Sequence, residues 1–198
     1  MGNRCSDCPE YQHLLGENAE LRIQLEKERE KNLWDPLTGV MSRFAFEERV
    51  EQLIKEITAS TGSVGELSLC FIDMNGLKRL NDSYGHGAGD SAIIFLSKVI
   101  SENAGEGAIV GRMGGESDEF GVALPNISLV RARECVEKIK NALRYRRLKL
   151  ACGDSVFVRA SYGVSNTLEG LFTGSDLFAT ADERMRKHKR KTRGGRRS

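Results

Sequence analysis

The stretch Arg112-Met113-Gly114-Gly115-Glu116-Ser117-Asp118-Glu119-Phe120 places two glycines and three acids between two short apolar runs. The runs, residues 108–112 and 120–124, have the length and character of strands, and glycines favour the turn between them. The stretch therefore predicts a hairpin whose tip carries three carboxylates.

A second apolar run, Leu67–Ile72, ends on an acid, Asp73. Its length and composition predict a buried strand. If this strand neighbours the hairpin in a sheet, Asp73 faces the same space as Glu116, Asp118 and Glu119. Clustered carboxylate oxygens suit Mg²⁺, which proteins hold through one or two carboxylates and the phosphates of a substrate. Taken alone, the pattern favours a simpler interpretation, an acidic hairpin tip in water.

Helical spacing of apolar residues predicts four helices around these strands. They run from Ser42, from Asp90 to about Asn103, from Ser128 to about Leu148, and from Ser175 onwards. The predicted inward faces comprise Phe44, Val50, Leu53, Ile54 and Ile57; Val130, Cys135, Val136, Ile139 and Leu143; and Leu177, Phe178, Ala181 and Met185. A further strand is predicted over 156–164. Together these elements predict an α/β fold, an α+β sandwich in which a central, mostly antiparallel sheet is flanked by helices.

Residues 11–33 have a heptad pattern typical of a short coiled coil. The a positions are Tyr11, Asn18, Leu25 and Asn32, and the d positions are Leu14, Leu21 and Glu28. Asn18 at an a position favours a parallel two-stranded register, so a dimer contact is predicted; the alternative is a single solvated helix. Pro36 disfavours helical geometry at Asp35, which marks a boundary between an N-terminal helix, 1–33, and a main domain, 34–198.

Composition indicates a globular protein, since 39% of the 198 residues are hydrophobic and 29% are charged. No apolar run approaches the ~20 residues that a membrane span requires. The polar N-terminus lacks the apolar core of a signal peptide. We therefore expect no membrane partner and a cytoplasmic location.

Two terminal features leave alternatives open. Cys5 and Cys8 form a C-x-x-C pair. A four-ligand metal site would need two such pairs, one from each of two chains; the alternative is an N-terminus that binds no metal. From Arg184 to Ser198 the chain has nine Lys or Arg and no Asp or Glu, which suits nucleic acid, an anionic membrane or nucleotide phosphates. The same stretch has no Phe, Tyr or Trp to stack on bases, so nucleic acid is an unfavoured partner.

Five segments, in order, resemble motifs of the GGDEF domain family. They are Asp35–Arg43, Asp73–Asp90, Arg112–Phe120, Ser161–Val164, and the closing helix with Ala181, Asp182, Lys189 and Arg193. The resemblance covers about residues 34–193 and implies a palm-like nucleotidyl cyclase fold. It also implies diguanylate cyclase activity, in which two GTP molecules are joined into cyclic di-GMP and pyrophosphate is released.

The resemblance implies a metal site built from five residues. Asp73 would bind Mg²⁺ or Mn²⁺ through its carboxylate and Met74 through its backbone carbonyl. Asp118 and Glu119 would complete the site, with Glu116 as the alternative ligand to Asp118. Asp118 and Glu119 would also be the catalytic pair that helps to deprotonate the attacking 3′-hydroxyl. Two metal ions would assist the attack on the α-phosphate.

The resemblance further implies a GTP site. Asn81 and Asp90 would recognise the base, because a carboxylate accepts hydrogen bonds from N1–H and the amino group of guanine. The remaining substrate-binding residues would be Lys78, Lys189 and Arg193 on the phosphates, and Gly114 and Gly115, whose backbone lies close to the nucleotide. Each domain would hold one GTP, so the reaction requires a homodimer, and the N-terminal helix would raise the effective concentration of the partner site.

Three of the departures from the family pattern concern its functional motifs. Two extra residues separate Gly114-Gly115 from the final acids, although an insertion of two preserves strand parity. Asn75 replaces the second acid of the family's D-x-D. The family's R-x-x-D product-inhibition motif is missing, since Gly105 and Ala108 occupy its places, so no inhibitory site is expected. The alternative to a cyclase is a degenerate domain that binds GTP or dimerises without chemistry.

Overall fold

The computed structural model of the chain describes residues 11–13, 15–21, 33–59, 65–114 and 118–194. The chain divides into two units, Met1–Leu33 and Trp34–Ser198. In the first unit residues 11–13 and 15–21 are helical and their side chains are exposed, whereas Leu33 lies in a bend and is partly buried. The predicted heptad positions Leu14, Leu25, Glu28 and Asn32 lie outside the described residues, as do Cys5 and Cys8. The coiled coil and the domain boundary therefore stay predictions.

The second unit combines strands and helices along the chain. The strands are β1 (Leu67–Met74), β2 (Ile109–Arg112), β3 (Glu119–Pro125), β4 (Leu148–Lys149), β5 (Ser155–Val156) and β6 (Ala160–Asn166). The helices are α1 (Arg43–Ala59), α2 (Leu77–Tyr84), α3 (His86–Asn103), α4 (Leu129–Tyr145) and α5 (Gly174–Gly194), with a 3₁₀ turn at Thr167–Glu169. No helix of the described residues is long and apolar enough to cross a bilayer.

The central sheet has the strand order β2-β3-β1-β6, and every neighbouring pair is antiparallel. Strands β4 and β5 form a separate two-stranded ribbon. All eight residues of β1 are buried because helices cover both faces of the sheet. Helices α3 and α4 pack with Cys70, Ile72 and Met74, whereas α1 and α5 pack on the opposite face with Leu67 and other alternate residues. The predicted antiparallel sheet flanked by helices is confirmed.

A pair of glycines shapes the sheet where α1 crosses it. Gly111 in β2 and Gly121 in β3 are register partners, and the ring of Phe46 lies over both. A Cβ at Gly111 would lie 2.5 Å from the Phe46 side chain, and one at Gly121 would overlap the ring edge. Because neither residue has a side chain, Gly111 and Gly121 leave a space on the sheet that the ring of Phe46 fills. We call this space the glycine slot.

The inward face predicted for α1 was partly wrong. The helix begins as expected, with Ser42 Oγ accepting a hydrogen bond from Ala45 N at 3.3 Å. Phe44, predicted to be buried, is 50% exposed, and the fully buried ring is Phe46. Periodicity could not show this because the ring is selected by the glycine slot, a feature of two distant strands.

The region 77–103 also differs from the prediction. The structure has two helices, α2 and α3, where a single helix from Asp90 was predicted. Helix α3 begins at His86, so Gly87 and Gly89 lie inside the helix, and Gly85 occupies the junction with a φ of 83°. Because glycine is intrinsically unfavourable in a helix, helix propensity did not predict that α3 begins as early as His86.

Three smaller boundaries need correction. Helix α4 ends at Tyr145, before the predicted Leu148, which instead pairs with Val156 in the ribbon, and Val130 on the same helix is 65% exposed. The predicted strand 156–164 is interrupted between β5 and β6. The last helix begins at Gly174, and Thr173 Oγ1 rather than Ser175 accepts from Asp176 N at 3.1 Å.

Candidate functional site

Asp73 is the penultimate residue of β1, and its register partners are Glu119 on β3 and Ser161 on β6. Partners opposite each other in an antiparallel pair project to the same face. The Asp73 residue is only 4% exposed. Strand pairing thus places a buried carboxylate beside the acids that begin β3.

Lys189 of α5 pairs with this buried carboxylate. Its Nζ lies 2.6 Å from each carboxylate oxygen of Asp73, and the two side chains are 23% and 6% exposed. Burying an unpaired carboxylate is costly, so the ammonium offsets a large desolvation penalty. The sequence prediction assigned Lys189 to phosphate binding and missed this contact. The two residues are 116 positions apart, so no local sequence pattern connects them.

Asp118 lies next to the same pair. Its backbone carbonyl accepts a hydrogen bond from Met74 N at 3.0 Å, which fixes the base of the hairpin to the end of β1. Burial raises the pKa of the Asp118 carboxyl, and the negative charge of Asp73 raises that pKa further, while Lys189 and Arg112 oppose the shift. Two carboxyl groups therefore share one small space and compete for positive charge. We call Asp73, Asp118 and Lys189 the metal-side group.

A buried ion pair holds the hairpin in place. Arg112 Nη1 donates to both oxygens of Asp35, at 3.2 and 3.1 Å, and both residues are almost fully buried. Asp35 Oδ1 also accepts hydrogen bonds from the backbone N and the hydroxyl of Thr38. In addition, Met41 N donates to Val110 O and Arg112 N donates to Met41 O. The leading segment of the domain, residues 34–41, is thereby joined to β2.

The sequence prediction recognised Asp35 as part of a motif but gave neither Asp35 nor Arg112 a role. The signal that could have found the pair is a charged residue inside a predicted strand. A buried arginine at the end of a short apolar strand needs an acidic partner. Asp35 is the acid in the family motif at the start of the domain, residues 35–43.

Asn75, which replaces an acid of the family pattern, is bonded across the sheet. Its amide exchanges hydrogen bonds with Ser161 Oγ at 3.0 and 3.1 Å, and its backbone N donates to Arg159 O at 2.7 Å. The amide keeps β1 and β6 together just beyond Asp73 without adding a third negative charge there.

The residues expected to recognise the base lie on α2 and α3. Asn81 projects from α2 against Gly89 of α3, where a Cβ would overlap its Oδ1. That oxygen is buried, and within the described part of the chain it has no hydrogen-bond partner. Asp90 and Lys78 are exposed on the same two helices. We call Asn81, Asp90 and Lys78 the base-side group.

Other predicted site residues are placed only in part. Gly114 is partly buried at the end of the first hairpin strand, whereas Gly115 and Glu116 lie outside the described residues. The backbone of Arg193 continues α5 four residues beyond Lys189, which puts both on one helix face, but its side chain is not described.

The donor atoms of the metal-side group fit a hard divalent cation. Among the described residues there is no group of three or more His, Cys, Asp and Glu arranged to hold a metal ion. Mg²⁺, however, is usually bound by one or two carboxylates together with substrate phosphates. Asp73 and Asp118 supply two carboxyls whose mutual repulsion a cation would relieve, and the Met74 carbonyl lies at the same strand end.

The fold and this arrangement define a nucleotidyl cyclase type of domain, and comparison with known proteins identifies the family. A model described as "Diguanylate cyclase, GGDEF domain" matches residues 32–195. The chain therefore belongs to the GGDEF domain family, as its sequence motifs predicted.

Several relatives carry the name diguanylate cyclase. The chain is 33% identical to diguanylate cyclase DgcP of Pseudomonas aeruginosa over 171 residues, covering 84% of this chain and 24% of DgcP. It is also 33% identical to diguanylate cyclase VdcA of Vibrio cholerae over 156 residues, covering 78% of this chain and 43% of VdcA. The chain thus spans less than half the length of these relatives.

Solved structures agree with the fold. The GGDEF domain of TpbB (YfiN) from Pseudomonas aeruginosa superposes with a TM-score of 0.73 at 29% identity, covering 80% of this chain and 89% of that one. The coiled coil and GGDEF domain of DgcB from Caulobacter crescentus, solved with c-di-GMP, gives 0.74 at 25% identity, covering 91% and 93%.

Proposed function

We propose that this protein is a diguanylate cyclase, which condenses two GTP molecules into cyclic di-GMP and releases two pyrophosphates. The carrying observation is the metal-side group: two neighbouring carboxyls at the end of β1 and the start of β3, charge-balanced by Lys189. It occurs in a GGDEF domain whose relatives are named for this reaction.

The metal-side group would hold the cation and the reacting phosphates. Asp73, Asp118 and the Met74 carbonyl would bind Mg²⁺ or Mn²⁺, with Glu119 beside them and Glu116 as a further acid. When bound, the cation supplies Lewis-acid polarisation of the α-phosphate and lowers the pKa of the attacking 3′-hydroxyl. Lys189 and Arg193, on one face of α5, would bind the phosphates, and the backbone at Gly114 and Gly115 would approach them closely.

The base-side group would select guanine. Asn81 Oδ1 is a buried acceptor that needs a donor, and Asp90 is a second acceptor one helix away. Guanine offers two adjacent donors, N1–H and the amino group, whereas adenine has no such pair. Lys78, exposed on the same helix as Asn81, would bind phosphate.

The reaction requires two copies of the site. In each half, the 3′-oxygen of one GTP loses its proton and attacks the α-phosphate of the other, forming one phosphodiester bond and breaking the bond to pyrophosphate. Asp118 and Glu119 would accept the proton. We propose that a homodimer, assembled through the N-terminal helix, brings the two sites together. Because GTP is an intracellular nucleotide, we place this reaction in the cytoplasm.

The experiment that tests this function is product analysis. The purified protein is incubated with GTP and Mg²⁺, and cyclic di-GMP is sought by chromatography and mass. The control variants are Asp73→Asn, which removes the carboxylate, and Glu134→Gln, which removes an exposed carboxylate paired with Arg131 on α4. We expect product from the wild type and from Glu134→Gln, and none from Asp73→Asn.

A negative result would support the second candidate. GTP binding without any cyclic di-GMP would leave a degenerate domain that binds nucleotide or dimerises. The named cyclases among the relatives favour the enzyme.

A further inference from the structure

Lys189 contacts the carboxylate that the proposed function gives to a metal ion. The contact is bidentate: Nζ is 2.6 Å from both oxygens of Asp73, and the carboxylate side chain is only 6% exposed. An ammonium so placed occupies the position from which a cation would chelate both carboxylate oxygens. Mg²⁺ lies ~2.0–2.1 Å from its oxygen ligands, so both cations could not share these two oxygens without close repulsion.

We propose that Lys189 is a positioning residue that makes divalent-metal binding depend on nucleotide binding. The ammonium pairs with Asp73 until nucleotide phosphates offer it a stronger partner. Its transfer from the carboxylate to the phosphates then leaves Asp73 available to the metal ion. The inference rests on the proposed metal and GTP site, but it concerns the order and coupling of binding rather than the chemistry.

The neighbouring charges support an exchange of one cation for another. The carboxyl of Asp118 is close enough to Asp73 for their negative charges to interact, so this space favours positive charge. Arg112 cannot supply it alone, because its guanidinium is bonded to Asp35. Lys189 is therefore the cation directly bonded to Asp73, and a metal ion takes over that role only when Lys189 moves.

The geometry of Lys189 suits such a movement. It lies near the end of α5, in a part of the helix where Lys187 and Lys191 are exposed, and its own side chain keeps 23% exposure. A lysine has four rotatable bonds and can redirect its ammonium by several ångströms without moving the helix. Binding free energies are reciprocal, so a nucleotide that draws Lys189 away must tighten metal binding by the factor by which metal tightens nucleotide binding.

The test measures Mn²⁺ binding to the full chain by electron paramagnetic resonance, without nucleotide and with a GTP analogue whose α,β-bridge is methylene. The variants are Lys189→Met, which removes the charge and keeps the length, and Lys189→Arg, which keeps the charge. The control is Lys187→Met, which removes an exposed lysine paired with Glu183 on the same helix. Thermal unfolding checks that each variant is folded.

Without nucleotide, we expect Lys189→Met to bind Mn²⁺ at least about tenfold more tightly than the wild type, because one opposing charge is gone from a poorly solvated site. Lys189→Arg and Lys187→Met should bind like the wild type, and the analogue should tighten Mn²⁺ binding less in Lys189→Met than in the wild type. A residue that only binds phosphate predicts no change in the nucleotide-free measurement.

Two results would overturn the inference, and they are distinguishable. If the wild type binds Mn²⁺ with the analogue but Lys189→Met shows unchanged nucleotide-free affinity, the coupling role is wrong and the proposed metal site stands. If no variant binds Mn²⁺ under either condition, the metal site of the proposed function fails, and the coupling role fails with it.

Discussion

The metal-side and base-side groups of the candidate site are built in opposite ways. Asp73 is buried and bonded to the partly buried Lys189 at the end of the central sheet, and Arg112 fixes the adjoining hairpin. Asp90 and Lys78 are exposed on two surface helices, and Asn81 Oδ1 is buried without a partner among the described residues. The contrast teaches that loss of the buried Arg112–Asp35 ion pair should destabilise the domain, whereas a change on the base side should weaken only ligand binding.

The largest expected effect is on the buried ion pair that anchors the metal side. Arg112→Met leaves the Asp35 carboxylate buried without its guanidinium, which should lower the free energy of unfolding by about 3–5 kcal/mol. Urea denaturation measures the change. Adding Asp35→Asn should cost less than the sum of the two single changes, because both remove the same pair. A loss below ~1 kcal/mol for Arg112→Met would contradict the proposed anchoring.

The glycine slot is the next test of the rigid side. Gly121→Ala drives a methyl group into the Phe46 ring and should cost about 1–3 kcal/mol. Combining it with Phe46→Leu should cost less than the separate changes together. Gly87→Ala is the matched control, since a Cβ there meets nothing within 4 Å and glycine is unfavourable in a helix. The prediction fails if Gly121→Ala is as well tolerated as the control.

A substitution in the base-side group should lower the affinity for GTP and leave the stability of the domain unchanged. Asp90→Ala removes an exposed acceptor and should weaken GTP binding about tenfold, which corresponds to ~1.4 kcal/mol. Isothermal titration measures the affinity, and a urea midpoint equal to that of the wild type would show that the fold is intact. Glu106→Ala, another exposed acid, is the control. A large fall in stability for Asp90→Ala would remove the contrast between the two sides.

The smallest effect concerns the protonation of Asp118. Its pKa lies above the ordinary value of 3.8, so this carboxyl favours the folded state most strongly below pH 3.8, and that contribution is lost as pH rises through the raised pKa. Asp118→Asn avoids the loss and should be more stable than the wild type at pH 7, by less than ~1 kcal/mol because the group is only half-buried. The gain should vanish near pH 3.5; an equal gain at both values would contradict the assignment.

Much of the fold could be predicted because its determinants are local. The apolar run that ends at Asp73 predicted one strand and the glycine-rich hairpin two more, while the pairing of the first strand with the hairpin was only assumed. The antiparallel register then placed Asp73 opposite Glu119. Family motifs predicted which residues would carry the chemistry, and those roles stay predictions until variants are assayed.

The remaining features depend on contacts between distant residues. The choice of Phe46 over Phe44 is made by the glycine slot, and the close packing of α2 against α3 depends on Gly89 leaving space for Asn81. The bond between Lys189 and Asp73 joins α5 to β1, and the bond between Arg112 and Asp35 joins two motifs 77 residues apart. Periodicity and propensity carry no information about such pairings.

The leading segment, residues 34–41, has a mechanical consequence. Two backbone hydrogen bonds join Met41 to β2, and a buried ion pair joins Asp35 to Arg112. Arg112 is the last residue of β2, and Asp118 follows at the other end of the hairpin loop. A pull or twist applied at residue 34 must therefore either carry the hairpin with it or rupture a buried ion pair. The domain has in effect a short mechanical linkage from residues 34–41 to β2, the strand that leads towards its acidic loop.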